Sequence, residues 1–174
     1  DYQGCDKLPA VFGEVYRRLG GRVVFVLNCP HDRVLFRRLK EEDVLHRVVW
    51  VKPMRFNDPL RQSMYAAADV VLLPGTRFPT VYYAERLKLF EYLASYSAIV
   101  AEWTPGVAGV LKHMHNAYFV PLGDVESMAD AVVELYEDRG LLETLREQAY
   151  ADCRKYDWRV LARKYKRFIE NIFG

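Results

Sequence analysis

Apolar and polar positions divide the chain into short apolar runs and longer segments in which apolar residues recur every third or fourth position. The apolar runs predict β-strands at 22–28, 47–51, 69–73, 98–101 and 117–120. Helical spacing follows each run, and it also precedes the first one, from Leu8 to Leu19. Strands separated by helices cannot form hairpins, so the pattern predicts an α/β fold, a doubly wound (Rossmann-like) parallel sheet. We expect the strands that begin at Asp69, Ala98 and Ala117 to be adjacent in that order. The run at 22–28 is apolar throughout its middle, which predicts burial on both faces.

The stretch 76–101 is predicted to form a loop, a long helix and the strand at 98–101. One buried stripe of this helix would consist of Ala84, Leu87, Phe90 and Ala94. Glu91 borders the stripe, with Lys88 one turn before it, so its carboxylate would need a partner from the protein or from a ligand. Another interpretation is that Glu85, Lys88 and Glu91, spaced three apart, form only exposed ion pairs worth about 0.2–0.5 kcal/mol each.

The same stretch follows the strand at 69–73, which ends at Pro74-Gly75. In open α/β sheets, ligands bind beyond the carboxyl ends of strands, where loops lead into helices. We therefore expect a binding site formed by this loop, the start of the helix and the pair of Lys88 and Glu91.

Composition and length indicate a single globular domain spanning 1–174, since 51% of the residues are hydrophobic and 28% are charged. A net charge of +2 is too small to indicate a nucleic-acid partner. Cys5, Cys29 and Cys153 are scattered, which favours free thiols in a reducing, cytoplasmic compartment over disulfides or a thiolate metal site. Glycine-rich P-loop and dinucleotide motifs are absent from the sequence, so we predict no cofactor. We predict no metal either, because His113 and His115 form the only histidine pair and no nearby cysteine or carboxylate offers further ligands.

The two ends of the chain carry separate expectations. The first strand of a doubly wound sheet ordinarily lies at its centre, yet no strand-like run precedes the helix near Lys7. We expect that this first strand is missing and that the chain is a fragment; alternatively, the strand at 22–28 pairs directly with that at 69–73. The carboxyl end is basic and amphipathic, which predicts either a solvated helix face or peripheral contact with a membrane surface.

Four segments resemble a known family in their order and spacing: ADVVLLP at 68–74, KLFEYLASYSAIVA at 88–101, NAYFVPLGD at 116–124 and DWRVLARKY at 157–165. They are similar to the C-terminal, donor-binding half of retaining glycosyltransferases with the two-domain GT-B architecture, the group-1 (family four) set. The resemblance implies an enzyme that transfers a hexose from a nucleoside-diphosphate sugar to a glycan or lipid-linked acceptor. It also implies an N-terminal domain of the same protein that binds the acceptor, so that this chain alone would bind donor without transferring sugar.

The resemblance assigns roles to residues around the predicted helix start. Glu91 corresponds to the glutamate that hydrogen-bonds the ribose hydroxyls of the donor, and Lys88 to a position at its diphosphate. The backbone at Arg86 and Leu87 corresponds to the segment whose N–H groups face the phosphates, in line with the affinity of helix starts for anions. The resemblance assigns no catalytic residue within this chain.

Other positions match the family less closely. Lys52 and Pro53 correspond to the side of the binding site that contacts the nucleobase of the donor. Tyr83 stands where many members carry a second glutamate that holds the donor sugar, and Gly109 stands where another glutamate is usual. Gln3 replaces a basic residue at the phosphates. These departures leave open a second hypothesis, a non-catalytic nucleotide-sugar or partner-binding module of the same fold.

Overall fold

The computed structural model describes residues 4–55 and 58–173. Its strands are β1 (Phe25–Asn28), β2 (Val48–Val51), β3 (Val70–Leu73), β4 (Ala98–Glu102) and β5 (Tyr118–Val120). Its α-helices are α1 (Leu8–Leu19), α2 (Arg33–Glu41), α3 (Pro59–Ala66), α4 (Pro79–Tyr82), α5 (Leu87–Leu93), α6 (Pro105–Ala108), α7 (Val125–Glu137), α8 (Arg139–Cys153) and α9 (Trp158–Phe173). The alternation of strand and helix confirms the α/β fold class that the sequence predicts.

All strand pairs within the described residues are parallel, and they form two sheets. β3, β4 and β5 are adjacent in that order, as the sequence predicts, with Val71 opposite Ile99. β1 pairs with β2, with Val26 opposite Val49. The alternative expectation, direct pairing of β1 with β3, is wrong for the described part of the chain. The two sheets are joined instead by packing, because side chains of β1 and β4 belong to one hydrophobic cluster with α1.

Alternate residues of β4 pack on opposite sides of the sheet. Ala98 and Val100 belong to the cluster that contains α1, α7 and α8, whereas Ile99 and Ala101 belong to a second cluster with α5 and α6. β4 is therefore buried on both faces, as a central parallel strand requires. β1 is not: Val26 is 47% exposed, so the prediction of burial on both faces is wrong for this strand. Only the face of β1 that stacks against α1 is covered within the described residues.

The stretch before β4 contains two short helices rather than one long helix. Arg86 is extended (ψ 135°) and caps the amino end of α5, so Ala84 lies outside the register of that helix. The predicted stripe is also wrong, because Leu87 is 73% exposed while Ala94 is exposed as well. The residues of α5 that face the core are Leu89, Tyr92 and Leu93. The contacts of these side chains with the sheet, rather than the stripe read from the sequence, set the rotation of α5.

The last helix, α9, contacts little of the described domain, and none of its residues is buried. One face of α9, which we call the α9 apolar face, consists of Trp158, Leu161, Tyr165, Phe168, Ile169 and Ile172. The opposite face carries most of the basic residues that the sequence places at this end. No helix in the described ranges is both long and apolar enough to cross a membrane.

Candidate functional site

The carboxyl ends of β3, β4 and β5 are tied together by Glu102, the last residue of β4. Its side chain is 1% exposed. Oε2 accepts hydrogen bonds from the Gly75 N–H at 2.5 Å and from the Lys7 ammonium, and Oε1 accepts one from the Gly123 N–H at 2.8 Å. Lys7 also donates to the Gly75 carbonyl at 2.9 Å. One carboxylate thus connects the loops that follow β3 and β5 to the amino end of α1.

Sequence reasoning did not identify Glu102 or Lys7. The available signal was the position of Glu102 directly after the apolar run AIVA, at the end of a strand where an acidic side chain would lie at the ligand-binding edge. Lys7 had no such signal, because its partner lies 95 residues away in the chain.

Backbone segments approach each other closely at this edge of the sheet. Gly4 has a positive φ of 77°, and a Cβ atom placed on it would overlap the Gly75 carbonyl oxygen. Gly4 therefore accepts no side chain for two reasons, the left-handed backbone and the lack of space. The loop before α1 thus packs against the loop after β3. Gln3, which the resemblance places at the phosphates, lies outside the described residues.

Arg86 and Lys88 place positive charge beside the same loops. The Nε and Nη2 groups of Arg86 are buried and make no hydrogen bond to any described residue. Burial lowers the pKa of Arg86, and attraction to acidic groups such as Glu102 does not offset this effect. Both cations act on Cys5 at the amino end of α1: burial raises the pKa of its thiol, while Lys88 and Arg86 oppose the rise. A buried guanidinium with unsatisfied N–H groups favours an anion as its partner.

Glu91 is buried in the second turn of α5, with only 6% of its surface exposed. Its Oε2 atom accepts a hydrogen bond from Nη2 of Arg61 on α3 at 2.5 Å, whereas its Oε1 atom is buried without a partner among the described residues. The prediction that this carboxylate needs a partner is confirmed, and the alternative of an exposed ion-pair row is wrong for Glu91. Its cation is Arg61 rather than Lys88, which makes no ion pair within the described residues.

The loop after β2 lies next to Glu91 through the same arginine. Nη1 of Arg61 donates to the carbonyl oxygen of Met54 at 3.3 Å. Lys52 and Pro53, which directly precede Met54, are both exposed. The Lys52 carbonyl accepts a hydrogen bond from the Asn28 side chain at 2.9 Å, which attaches this loop to the end of β1. The structure therefore places the loop of Lys52 and Pro53, predicted to contact the nucleobase, next to Glu91, predicted to bind the ribose.

Tyr83 and Leu87 present their side chains to the outside, at 69% and 73% exposure. Leu87 is the first residue of α5, so only its backbone N–H fits the predicted role at the phosphates. Tyr83 borders an open cavity of about 750 Å³ that also lies against Trp103 at the end of β4. The remaining lining residues are Arg77, Pro79, Tyr82, Phe119, Val120, Pro121 and Leu122. Neither Glu91 nor Lys88 lines this cavity, so Tyr83 belongs to a separate part of the surface.

Comparison with known proteins identifies a family and several relatives. Residues 2–138 match the family model described as glycosyl transferases group 1. The chain is 28% identical over 121 residues to a phosphatidyl-myo-inositol mannosyltransferase from Mycolicibacterium smegmatis, and the matching region covers 68% of this chain and 30% of that protein. It is 26% identical over 111 residues to an exopolysaccharide phosphotransferase from Streptomyces coelicolor, covering 62% of this chain and 11% of that protein. The chain thus spans less than a third of the length of these relatives.

Solved structures share the fold at low sequence identity. The Anabaena protein Alr3699/HepE, solved in complex with UDP, superposes with a TM-score of 0.75 at 15% identity over 98% of this chain and 47% of that one. The C-terminal domain of a group 1 glycosyl transferase family protein (LpcC) from Francisella tularensis gives 0.70 at 16% identity, covering 87% of this chain and 77% of that one. These similarities show that the fold matches the C-terminal Rossmann-like domains of GT-B glycosyltransferases.

Proposed function

The chain belongs to the glycosyl transferases group 1 family, and from this premise we propose that it is the donor-binding, C-terminal half of a retaining GT-B glycosyltransferase. The donor would be a nucleoside-diphosphate sugar, bound without a metal or another cofactor. The enzyme would transfer a hexose to a glycan or lipid-linked acceptor at the cytoplasmic side of a membrane. The name of one relative, a phosphatidyl-myo-inositol mannosyltransferase, supports hexose transfer to a lipid-linked acceptor. The name of the other, an exopolysaccharide phosphotransferase, supports only a glycan as the acceptor class.

The observation that carries the proposal is the state of Glu91. A buried carboxylate oxygen without a hydrogen-bond donor is costly, about 1–3 kcal/mol, unless a ligand supplies the donor. Oε1 of Glu91 is such an atom within the described residues, and it lies beside the loop of Lys52 and Pro53. A ribose hydroxyl is a donor of suitable size, and the adjacent loop would then meet the base.

The diphosphate would lie at the other end of the first turn of α5. Arg86 contributes buried N–H groups without a partner among the described residues, and Lys88 contributes a second positive charge. Both act on Cys5 and therefore lie near the amino end of α1, close to the loops that Glu102 connects. Positive charge placed there would also stabilise the diphosphate as it leaves the sugar during transfer.

A preceding acceptor-binding domain completes the proposed enzyme. The chain spans less than a third of its curated relatives, so those proteins have room for one. The α9 apolar face offers a surface of large exposed side chains, including Phe168 at 62% and Ile169 at 54% exposure, that such a domain would cover. Peripheral contact of α9 with a membrane is the alternative, because its other face is basic. The chain alone would bind donor without transferring sugar, since the acceptor must reach the donor between two domains.

A thermal-shift panel with UDP, GDP and ADP tests the proposed binding. A nucleotide present at about 100 times its dissociation constant adds about 2.7 kcal/mol to the free energy of unfolding. We expect one of the three to raise the midpoint for the wild type, and a Glu91→Gln variant to lose most of this rise. No shift with any of the three nucleotides would contradict the proposal.

The second hypothesis, a non-catalytic binding module, is favoured by Tyr83 and Gly109 at positions where the family usually carries glutamates. A transfer assay separates the two hypotheses. The chain joined to its natural preceding domain should transfer labelled sugar, and the product should keep the anomeric configuration of the donor by NMR. Nucleotide binding without any transfer by the joined protein would favour the module, and an inverted product would contradict the retaining mechanism.

A further inference from the structure

Arg61, in the first half of α3, is held in place from several sides. Its side chain is 16% exposed. Nη2 donates to Oε2 of Glu91 at 2.5 Å, and Nη1 donates to the Met54 carbonyl at 3.3 Å. The guanidinium carbon lies 5.8 Å from the centre of the Tyr65 ring. Burial alone would lower the pKa of Arg61, but the hydrogen bond to Glu91, together with attraction to Tyr65 and Glu91, outweighs burial and raises it. This arginine is therefore a permanent cation with a fixed orientation.

The fixed guanidinium makes the two oxygens of Glu91 different. Oε2 has a charged donor at a short distance, whereas Oε1 is buried and has no donor among the described residues. A carboxylate with two free oxygens can accept from both hydroxyls of a vicinal diol at once, one hydroxyl to each oxygen. A ligand hydroxyl at Oε1 would therefore satisfy an oxygen that otherwise lacks a donor, whereas a hydroxyl at Oε2 would share that oxygen with Arg61.

We propose that Arg61 is a positioning residue that divides the Glu91 carboxylate, so that donor binding depends more on the ribose hydroxyl at Oε1 than on the other hydroxyl. This inference rests on the proposed function, since it describes how the same site selects its nucleotide. Arg61 also holds the loop after β2 through Met54. It therefore sets the distance between the carboxylate that reads the sugar and the loop that would meet the base.

Lysine would not replace arginine in this role. The planar guanidinium uses two different nitrogens for Glu91 and Met54, and their spacing is fixed by the group itself. A lysine ammonium would supply the charge from one point on a flexible chain. Charge and orientation can consequently be separated by comparing Arg61→Lys with Arg61→Met.

Calorimetric titration with UDP, 2′-deoxy-UDP and 3′-deoxy-UDP tests the division of the carboxylate. If the thermal-shift panel shows binding of GDP or ADP instead, that nucleotide and its two deoxy forms are used. For the wild type we expect one deoxy analogue to bind about tenfold more weakly and the other within about twofold of the parent. In Arg61→Met, neither oxygen of Glu91 has the arginine as a donor, so the two oxygens become equivalent and the two analogues should lose affinity to a similar extent. Arg61→Lys should recover affinity for UDP relative to Arg61→Met without restoring the difference between the analogues.

Arg17→Met is the matched control, because Arg17 pairs with Glu14 and Glu42 at the surface and should leave all three affinities unchanged. Equal losses for the two analogues in the wild type would overturn the inference while leaving the proposed function intact. Tighter UDP binding by Arg61→Met would also overturn it, because Arg61 would then block the site. Failure of the wild type to bind any of the nucleotides would overturn both. The wild-type comparison needs no variant, so it can overturn the inference even if Arg61→Met fails to fold, and Arg61→Lys then tests the part played by Arg61.

Discussion

The Lys7 ammonium donates to the Glu102 carboxylate across 95 positions of the chain, and this pair joins the amino end of α1 to the end of β4. The side chain of Glu102 is 1% exposed and that of Lys7 is 20% exposed. Removal of one partner from such a pair leaves a buried charge uncompensated, which typically costs about 3–5 kcal/mol. The arrangement of the loops at the candidate site therefore depends on this buried ion pair, which connects them to the start of α1.

Glu102→Ala is expected to lower the free energy of unfolding by about 3–5 kcal/mol, because Lys7 and the N–H groups of Gly75 and Gly123 lose their acceptor together. Urea unfolding followed by circular dichroism measures the change. Asp69→Ala is the control, since its ion pair with Arg139 is exposed and should be worth less than about 1 kcal/mol. Equal losses for the two variants would show that the Glu102 network contributes no more than a surface pair.

Glu91→Ala is expected to weaken binding of the nucleoside diphosphate by about 1–3 kcal/mol, the cost of leaving its hydroxyl partner unsatisfied. Calorimetric titration measures the affinity, and urea unfolding of the unliganded variant measures stability. Stability should fall as well, because Arg61 loses a buried ion-pair partner although it keeps its bond to the Met54 carbonyl. The affinity is therefore measured under conditions in which the variant is folded. Unfolding of the variant with undiminished affinity in the folded fraction would make the carboxylate purely structural.

Gly106→Ala is expected to destabilise the fold by about 1–3 kcal/mol, the usual cost of forcing extra volume into a packed position. A Cβ atom at Gly106 would overlap the Ala84 carbonyl oxygen, so α6 and the segment before α5 must separate. Gly21→Ala is the matched control, because no heavy atom lies within 4 Å of its Cβ position. Thermal midpoints of the two variants compare them directly, and a midpoint for Gly106→Ala no lower than that of Gly21→Ala would contradict the close packing.

Asp152 should make the stability of the domain sensitive to acid. Burial alone would raise the pKa of its carboxyl, but hydrogen bonds from Lys155 and Asn116 outweigh burial and lower it. A folded-state pKa below the unfolded value, about 3.9 for aspartate, means that Asp152 stabilises the fold above that pH. This stabilisation is lost as the pH falls through the lowered folded-state pKa.

Urea unfolding across the acid range measures this dependence. The Asp152→Asn variant should be less stable than the wild type at neutral pH, and the difference should shrink as the pH falls below about 4. Asp69→Asn serves as the exposed control. A difference between wild type and Asp152→Asn that stays constant with pH would rule out the carboxylate as the titrating group.

Ile169→Glu and Phe168→Glu should leave the stability of this chain within about 0.5 kcal/mol, because both side chains are exposed on α9. In the chain joined to its preceding domain, the same changes should lower sugar transfer if the α9 apolar face packs on that domain. Lys166→Ala, on the other face, is the control. If the joined variants instead keep the activity of the wild type but no longer sediment with vesicles of anionic lipid, the α9 apolar face contacts a membrane.

The sequence by itself determined the order of strands and helices, the adjacency of β3, β4 and β5, and the need of Glu91 for a partner. The order of elements follows from local periodicity, because a parallel strand buried on both faces is a continuous apolar run. The adjacency follows from the tendency of consecutive strands to lie side by side, and the need of Glu91 for a partner from the cost of burying an unpaired carboxylate. The identity of that partner could not be predicted, since Arg61 lies on another helix, 30 residues away in the chain.

Only the tertiary structure decided the rotation of α5, the separation of the two sheets and the roles of Glu102 and Lys7. The stripe that included Leu87 was wrong because helix spacing does not reveal where a helix begins, and the extended Arg86 restarts the register. Glu102 was missed because its importance depends on three donors that meet only when the loops after β3 and β5 and the start of α1 come together. Long-range hydrogen bonds of this kind leave no periodic signal in the sequence.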